Sequence, residues 1–211
     1  MSELFVLTER PSVYLASKSP RRQELLRQLG VEFDELLLRE APGRRRDIVE
    51  APRGGEPALE YVKRIARLKA SLGWHRMGPR GLAPKPVIAA DTEVVLDGAA
   101  LGKPADAAAA VAMLSALSRR THEVLTAVAI RWQSQIAQSV STSHVTFRAI
   151  AQDEIERYVA TGEPFDKAGG YAIQGKAAAF VQHLEGSYSG VMGLPLFELS
   201  EMLARLGFPV L

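Results

Sequence analysis

The sequence predicts an α/β fold, a mixed twisted sheet with flanking helices, in a single domain over residues 1–211. Three observations predict it. An apolar run, Val13-Tyr14-Leu15-Ala16, passes through a short polar turn into a helix opened by Pro20. A second apolar run, Pro86 to Ala90, has the length of a buried strand. Two β-rich runs, Glu123–Trp132 and Val140–Phe147, follow one another as a long hairpin. Helices and strands mix without strict βαβ alternation, so the sheet is expected to be mixed.

Each element has a local reason. Pro20 loses nothing at the first helical position, Ser19 suits the cap, Leu25, Leu26 and Leu29 make an apolar face, and Gly30 ends the helix. Val31 to Leu38 reads as a strand, and Glu40 to Glu56, rich in Arg, Gly and Pro, as a loop. Its Arg44-Arg45-Arg46 run either meets a phosphate or is simply solvated. Leu59, Val62, Ala66 and Ala70 recur at helical spacing within Pro57–Leu72, and Trp74–Lys85 reads as a loop. The strand Pro86–Ala90 ends at Asp91-Thr92, and Val94-Val95-Leu96 continues extended to the turn Asp97-Gly98. Pro104–Leu117 is an alanine-rich helix with Val111, Leu114 and Leu117 inward. Asp153–Thr161 is a helix, with Ile155, Tyr158 and Val159 inside. Lys167–Gly175 is a glycine-bearing loop, Ala177–Leu184 a strand, and Leu196–Leu206 a terminal helix with Leu196, Leu199, Leu203 and Leu206 on one face.

Composition narrows the function. Hydrophobic content of 47% and charged content of 24% suit a globular protein, and a net charge of +2 argues against a nucleic-acid coat. There is also no basic stripe interleaved with aromatics, so no nucleic-acid partner is expected. The chain has no cysteine, which excludes disulfides and thiolate chemistry and is compatible with a cytoplasmic setting. Met1–Glu9 lacks the pattern of an export leader, and no run approaches about 18 apolar residues, so no membrane partner is expected. His75, His122, His144 and His183 do not pair at metal-ligand spacing, and no Gly-x-Ser-x-Gly elbow occurs. Trp74 and Trp132 read as packing residues.

Four places carry chemistry. Ser17-Lys18-Ser19-Pro20-Arg21-Arg22 combines a helix N-terminus, hydroxyls and guanidinium groups, which is either an anion site or an ordinary capped helix with solvated arginines. Asp91, after a buried strand, can bind a divalent cation, orient a water, or cap the next element. Gly102-Lys103-Pro104 presents an ammonium suited to a phosphate, while Lys69 reads as a residue at a helix end that complements the dipole. In Asp166–Gly175, the Gln174 amide offers a donor beside an acceptor, the complement of a uracil or thymine edge, unless it bonds nearby backbone.

Together these stretches resemble the Maf family of nucleoside triphosphate pyrophosphatases. The resemblance runs from Leu15-Ala16-Ser17-Lys18-Ser19-Pro20-Arg21-Arg22 through Ala90-Asp91-Thr92-Glu93-Val94, Leu101-Gly102-Lys103-Pro104, Asp166–Gly175 and Gly186-Ser187-Tyr188 to Gly193-Leu194-Pro195. It implies an elongated, two-lobed fold like that of the inosine triphosphatases, with a central cleft. It implies cleavage between the α- and β-phosphates, a divalent metal (Mg²⁺ or Mn²⁺), and a homodimer. Asp91 matches the proton acceptor and is the expected metal ligand; Arg21, Thr92 and Gln174 match positions that bear on base specificity. The Asp-Thr pair and the later glutamine are similar to the branch acting on dTTP and UTP. Ser17, Arg22, Lys69, Lys103 and Lys167 are then expected around the phosphates. The resemblance also keeps open a nucleotide-binding regulator of septum formation that does not cleave. The family's acidic loop residue has two candidates here, Glu35 and Glu40, because residues 39–55 are arginine-rich and lengthened. An ordinary aspartate, with a pKa near 3.9, is a weak base at neutral pH, so metal activation or a raised Asp91 pKa has to supply the rest.

Overall fold

The computed structural model describes residues 12–38, 48 and 50–210. Met1–Glu9, Glu40 and Arg44-Arg45-Arg46 lie outside them. Among the described residues one mixed sheet forms from β1 (Ser12–Leu15), β2 (Glu32–Glu35), β3 (Val87–Leu96), β4 (Ala99–Ala100), β5 (Thr121–Trp132), β6 (Gln135–Phe147) and β7 (Val181–Glu185). Its order is β2-β1-β3-β5-β6-β7, with β4 beside β3. β1 runs parallel to β2 and β3, and the remaining pairs are antiparallel.

Strand alternation sends side chains to two cores. Ile88, Ala90, Val94, Val124, Val128 and Ile130 face one side, against α1 (Pro20–Gln28), α3 (Ala107–Leu117), α4 (Gln152–Ala160) and α6 (Leu196–Arg205). Val87, Ala89, Val95, Leu125, Ala127 and Ala129 face the other, against α2 (Ala58–Met77). The small residues on that second face let α2 lie close. A Cβ added at Gly73 of α2 would come within 2.7 Å of a Val87 methyl.

The first helix and the terminal helix stand where the periodicity put them, the hairpin forms with its second strand starting at Gln135 and not Val140, and Trp74 and Trp132 pack edge-to-face at 5.7 Å. Several boundaries differ, each for a tertiary reason. β2 stops at Glu35 because its partner β1 has only four residues to offer. α2 continues through Trp74 to Met77, which is buried, so Lys69 sits inside the helix and not at its end. Its inward face includes Tyr61 and Ile65, whereas Leu59 is 41% exposed. β3 does not end at Asp91-Thr92: β5 pairs with it from Val87 to Val95, and both residues lie mid-strand. α3 begins at Ala107, because the Asp106 carboxylate accepts from the Ala109 N–H at 2.8 Å and caps the helix there. Lys176–Phe180 is a 3₁₀ turn, whose spacing buries both Ala177 and Phe180, and β7 starts only at Val181. A short helix, α5 (Tyr188–Met192), was not expected; Ser187 caps it by accepting from Gly190 N–H at 3.0 Å.

One core polar group makes the fold pH-sensitive. His122 is 2% exposed, its Nε2 lies 2.8 Å from the Tyr171 hydroxyl, and the Phe147 and Tyr171 rings meet it edge-on. Burial pushes the imidazole down to about 4. The unfolded chain therefore holds the proton more tightly. The contribution is complete above about pH 6.5 and is lost as the pH falls toward 4, in total about 3 kcal/mol. His122→Gln is expected to flatten this part of the stability profile in urea unfolding between about pH 7 and pH 4.5; a profile parallel to wild type would assign the effect elsewhere.

Candidate active site

The site arises where two strands part company. β1 pairs with β3 only at Tyr14–Val87 and Leu15–Ile88, and Ala16 N–H makes the last bond, to the Ile88 carbonyl at 2.8 Å. The chain then turns at Ser17-Lys18-Ser19 into α1, while β3 runs on. Its next neighbour on that edge arrives with Leu101, whose N–H reaches the Val94 carbonyl at 2.9 Å, followed by β4. Residues 91–93 thus border a cavity of about 710 Å³. Ser17, Arg21, Arg22, Lys69, Asp91, Thr92, Lys103, Lys167 and Gln174 all line it.

Asp91 and Thr92, being adjacent in a strand, point to opposite faces. On the Thr92 side, Arg22 is anchored by three neutral oxygens. Its Nε donates to the Gly193 carbonyl at 2.8 Å, and its two terminal nitrogens donate to Ser17 Oγ at 3.2 Å and Thr92 Oγ1 at 3.3 Å. Thr126, whose hydroxyl donates to the Gly190 carbonyl at 2.8 Å, lies 3.0 Å from the Thr92 hydroxyl. No carboxylate of the described residues pairs with this guanidinium. Burial lowers its pKa, which Asp91 at longer range opposes. A desolvated cation on neutral partners leaves its charge for a bound anion. The hydroxyl of Ser19, the expected cap, makes no bond to α1, so the first-turn N–H groups stay without a side-chain partner beside it.

On the Asp91 side the charges are mixed. The Lys69 ammonium donates to Asp91 Oδ1 at 2.9 Å and to Glu50 Oε2 at 2.8 Å. Asp91 is 8% exposed, and burial raises its pKa against the pull of Lys69 and Arg22. That is the direction a general base requires. Glu93, two residues on and on the same face, is pushed up to about 7 by burial and by Asp91, with the Gly102 N–H and Lys103 opposing.

At the mouth, Arg21 lies 3.5 Å from Asp166, and Lys167 pairs with Asp166 and donates to the Glu163 carbonyl at 2.7 Å. Lys103 is exposed. The glycine-bearing loop crosses β3: Gly169 N–H bonds the Gly102 carbonyl at 2.8 Å, and at φ +69° a Cβ there would meet Val94 at 2.9 Å. Gln174 at its end is exposed to the cavity, and its side-chain amide makes no hydrogen bond among the described residues.

Every residue expected at the site therefore shares one cavity, but Lys69 is engaged by two carboxylates and Lys167 by one. Two acidic residues were missed. Glu50, not Glu35, lines the cavity; Arg64 fixes the segment after it through Glu56 and the Ala51 carbonyl, while Glu35 is exposed on the edge strand β2. Glu93 was legible in principle, since alternation places it on the Asp91 face of an otherwise apolar strand.

A hard divalent cation fits these donors. The carboxylate oxygens are of the right chemistry, and Glu93 Oε2 is buried without a partner among the described residues. Among the described residues no three histidine, cysteine, aspartate or glutamate side chains converge on one point, so most of the coordination shell would be left to phosphates and water.

A helix N-terminus, a half-buried guanidinium and a buried carboxylate facing one cavity define a protein built to receive a polyanion. More particularly, the chain belongs to the Maf family: the model for Maf-like protein matches residues 12–206. It is 52% identical over 198 residues to the dTTP/UTP pyrophosphatase of Nitrosomonas europaea, covering 94% of this chain and 96% of that one. It is 48% identical over 210 residues to the dTTP/UTP pyrophosphatase of Bordetella parapertussis, covering 100% of each. The solved structure of the Staphylococcus aureus Ham1 protein is similar at a TM-score of 0.42 and 17% identity, over 67% of this chain and 72% of that one.

The Lys69–Asp91 pair is nearly dry, with side chains 12% and 11% exposed. Removing one partner strands the other, at a cost of about 3–5 kcal/mol. Lys69→Met is expected to lower stability by that order in urea unfolding near pH 7. The double variant with Asp91→Asn should recover most of the loss; additive losses would mean that the pair is not coupled.

Proposed function

We propose that this chain hydrolyses dTTP and UTP to the nucleoside monophosphate and diphosphate. The observation that carries the proposal is the placement on one cavity, of a size that holds a nucleotide, of Asp91 and of Arg22, which pairs with no carboxylate among the described residues. The close relatives that bear this activity in their names support it over nearly the whole chain. Nothing in the cavity favours a regulator that holds the nucleotide uncleaved. Among the described residues no helix is long and apolar enough to cross a membrane, and the proposed setting is the cytoplasm.

In this reading the triphosphate lies over the N-terminus of α1. Ser17, Arg22 and Lys103 contact its oxygens, and Lys69 and Lys167 turn from their carboxylates toward it. A charge-assisted bond of this kind contributes about 1.5–3 kcal/mol. Asp91 accepts a proton from the water whose oxygen attacks the α-phosphorus. As that P–O bond forms, the bond to the bridging oxygen breaks, and its electron pair leaves with diphosphate. A bound Mg²⁺ or Mn²⁺, held by Asp91, would neutralise phosphate charge and acidify a water.

Base choice falls to the loop after Asp166. Gln174 presents its unengaged amide to the pyrimidine N3–H and O4. Arg21 would act by pairing with Asp166 at the root of that loop, and Thr92 by orienting Arg22.

Diphosphate release from dTTP in the presence of Mg²⁺ tests the activity, and release of orthophosphate alone would overturn it. Asp91→Asn is expected to lower turnover by roughly 10²–10⁴-fold with the fold intact, as loss of a general base does. Near-normal turnover would take Asp91 out of the mechanism. Gln174→Ala should erode the preference for dTTP and UTP over CTP more than the total rate, because a mismatched edge no longer leaves a site group unpaired. Unchanged ratios among the nucleotides would exclude that role.

A further inference from the structure

Glu93 has no structural duty that explains it. It stands in β3 among Val87, Ile88, Ala89, Ala90, Val94 and Val95, all buried. Glu93 itself is half-buried at the cavity wall, and the strand would hold its register without a carboxylate. The Gly102 N–H and the Lys103 charge favour its ionised form, but Oε2 is buried and has no partner among the described residues. An unmet buried carboxylate oxygen is costly, and such a group persists where a ligand completes it.

The surroundings select among ligands. A phosphate would be repelled by Glu93 and by Asp91. The nearest ammonium groups do not serve: Lys69 donates to Asp91 and Glu50, and Lys103 influences Glu93 through its charge without forming an ion pair. A hydroxyl would satisfy the oxygen but leave two like charges on one face. Residues 91 and 93 are about 7 Å apart along the strand, and both side chains leave the same face, so one ion can lie between longer glutamate and shorter aspartate. Oxygen donors of this kind take Mg²⁺ or Mn²⁺, which accept one or two carboxylates and draw the rest of the shell from water and phosphates.

We infer that Glu93 is a second protein ligand, beside Asp91, for the divalent cation that accompanies the triphosphate. The inference rests on the reading of the cavity as a triphosphate site. In that role Glu93 fixes where the ion stands relative to the attacked phosphorus.

Mn²⁺ binding measures this without turnover. Titration calorimetry and the electron paramagnetic resonance of free Mn²⁺ would be applied to the intact protein, alone and with a dUTP analogue carrying a methylene bridge between the α- and β-phosphates. E93Q keeps the shape and removes the charge. It is expected to weaken Mn²⁺ binding about tenfold or more, with E93D weakened less and the circular dichroism of both unchanged. A loss below threefold in E93Q, or no Mn²⁺ binding by wild type in either state, would overturn the inference. If E93Q does not fold, E93D gives the same decision, since withdrawing a true ligand by one methylene also weakens the ion by threefold or more. Diphosphate release by wild type separates the two readings: turnover with an unaltered Mn²⁺ affinity in E93Q sinks the ligand alone, whereas absence of turnover on any nucleotide sinks the triphosphate site.

Discussion

The site depends on the early departure of β1 from the sheet. β1 and β3 share two residue pairs, after which the chain bends at Ser17 while β3 continues for eight residues past Ile88. A full-length partner would have covered the edge at residues 90–93 with ladder hydrogen bonds. Instead that edge faces a cavity, and the element that leaves it is a helix whose N-terminus points back at the gap. The one topological event thus produces the opening, the positive end of a helix and the approach of Arg22 to Thr92.

The cavity is electrostatically divided by β3. One face carries a guanidinium held by the Gly193 carbonyl and the hydroxyls of Ser17 and Thr92. The other carries Asp91 and Glu50 on the Lys69 ammonium, with Glu93 beside them. Before a ligand arrives, Lys69 keeps two carboxylates from repelling each other. Once phosphates occupy the gap, the same ammonium has a second set of oxygens within reach, and the carboxylates need a replacement charge. In the proposed reaction a divalent cation would meet that need as Lys69 turned to the phosphates.

Much of this was legible in the chain. Pro20 and the Leu25-Leu26 pair announce α1, the alternation of Val124, Val128 and Ile130 announces β5, and the motif residues from Ser17 to Gln174 announce the cavity. What failed did so where tertiary contact overrides local pattern. Gly73 looks like punctuation, yet it is the point at which α2 touches Val87. Asp91 looks like the end of a strand because a charge interrupts apolar residues, yet β5 pairs with it throughout. Glu50 was hidden beside an arginine-rich run, and Ala51 and Glu56 after it are held by Arg64, contacts that no periodicity encodes.

Register is what turns this arrangement into chemistry. Because side chains alternate, a slip of one residue between β3 and β5 would exchange the faces of Asp91 and Thr92, placing the carboxylate on Arg22 and the hydroxyl on Lys69. The anion site would then be filled by the protein's own aspartate. The ladder from Val87–Arg131 to Val95–Glu123 opposes such a slip. The two cores oppose it more strongly: Ala89, Ala127 and Ala129 must lie beneath α2, while Ile88, Val94 and Val128 must fill the opposite side. Large and small residues would be interchanged across both cores at once. The apolar residues of β3 and β5 therefore decide which side of β3 presents the carboxylate and which the hydroxyl that holds the guanidinium.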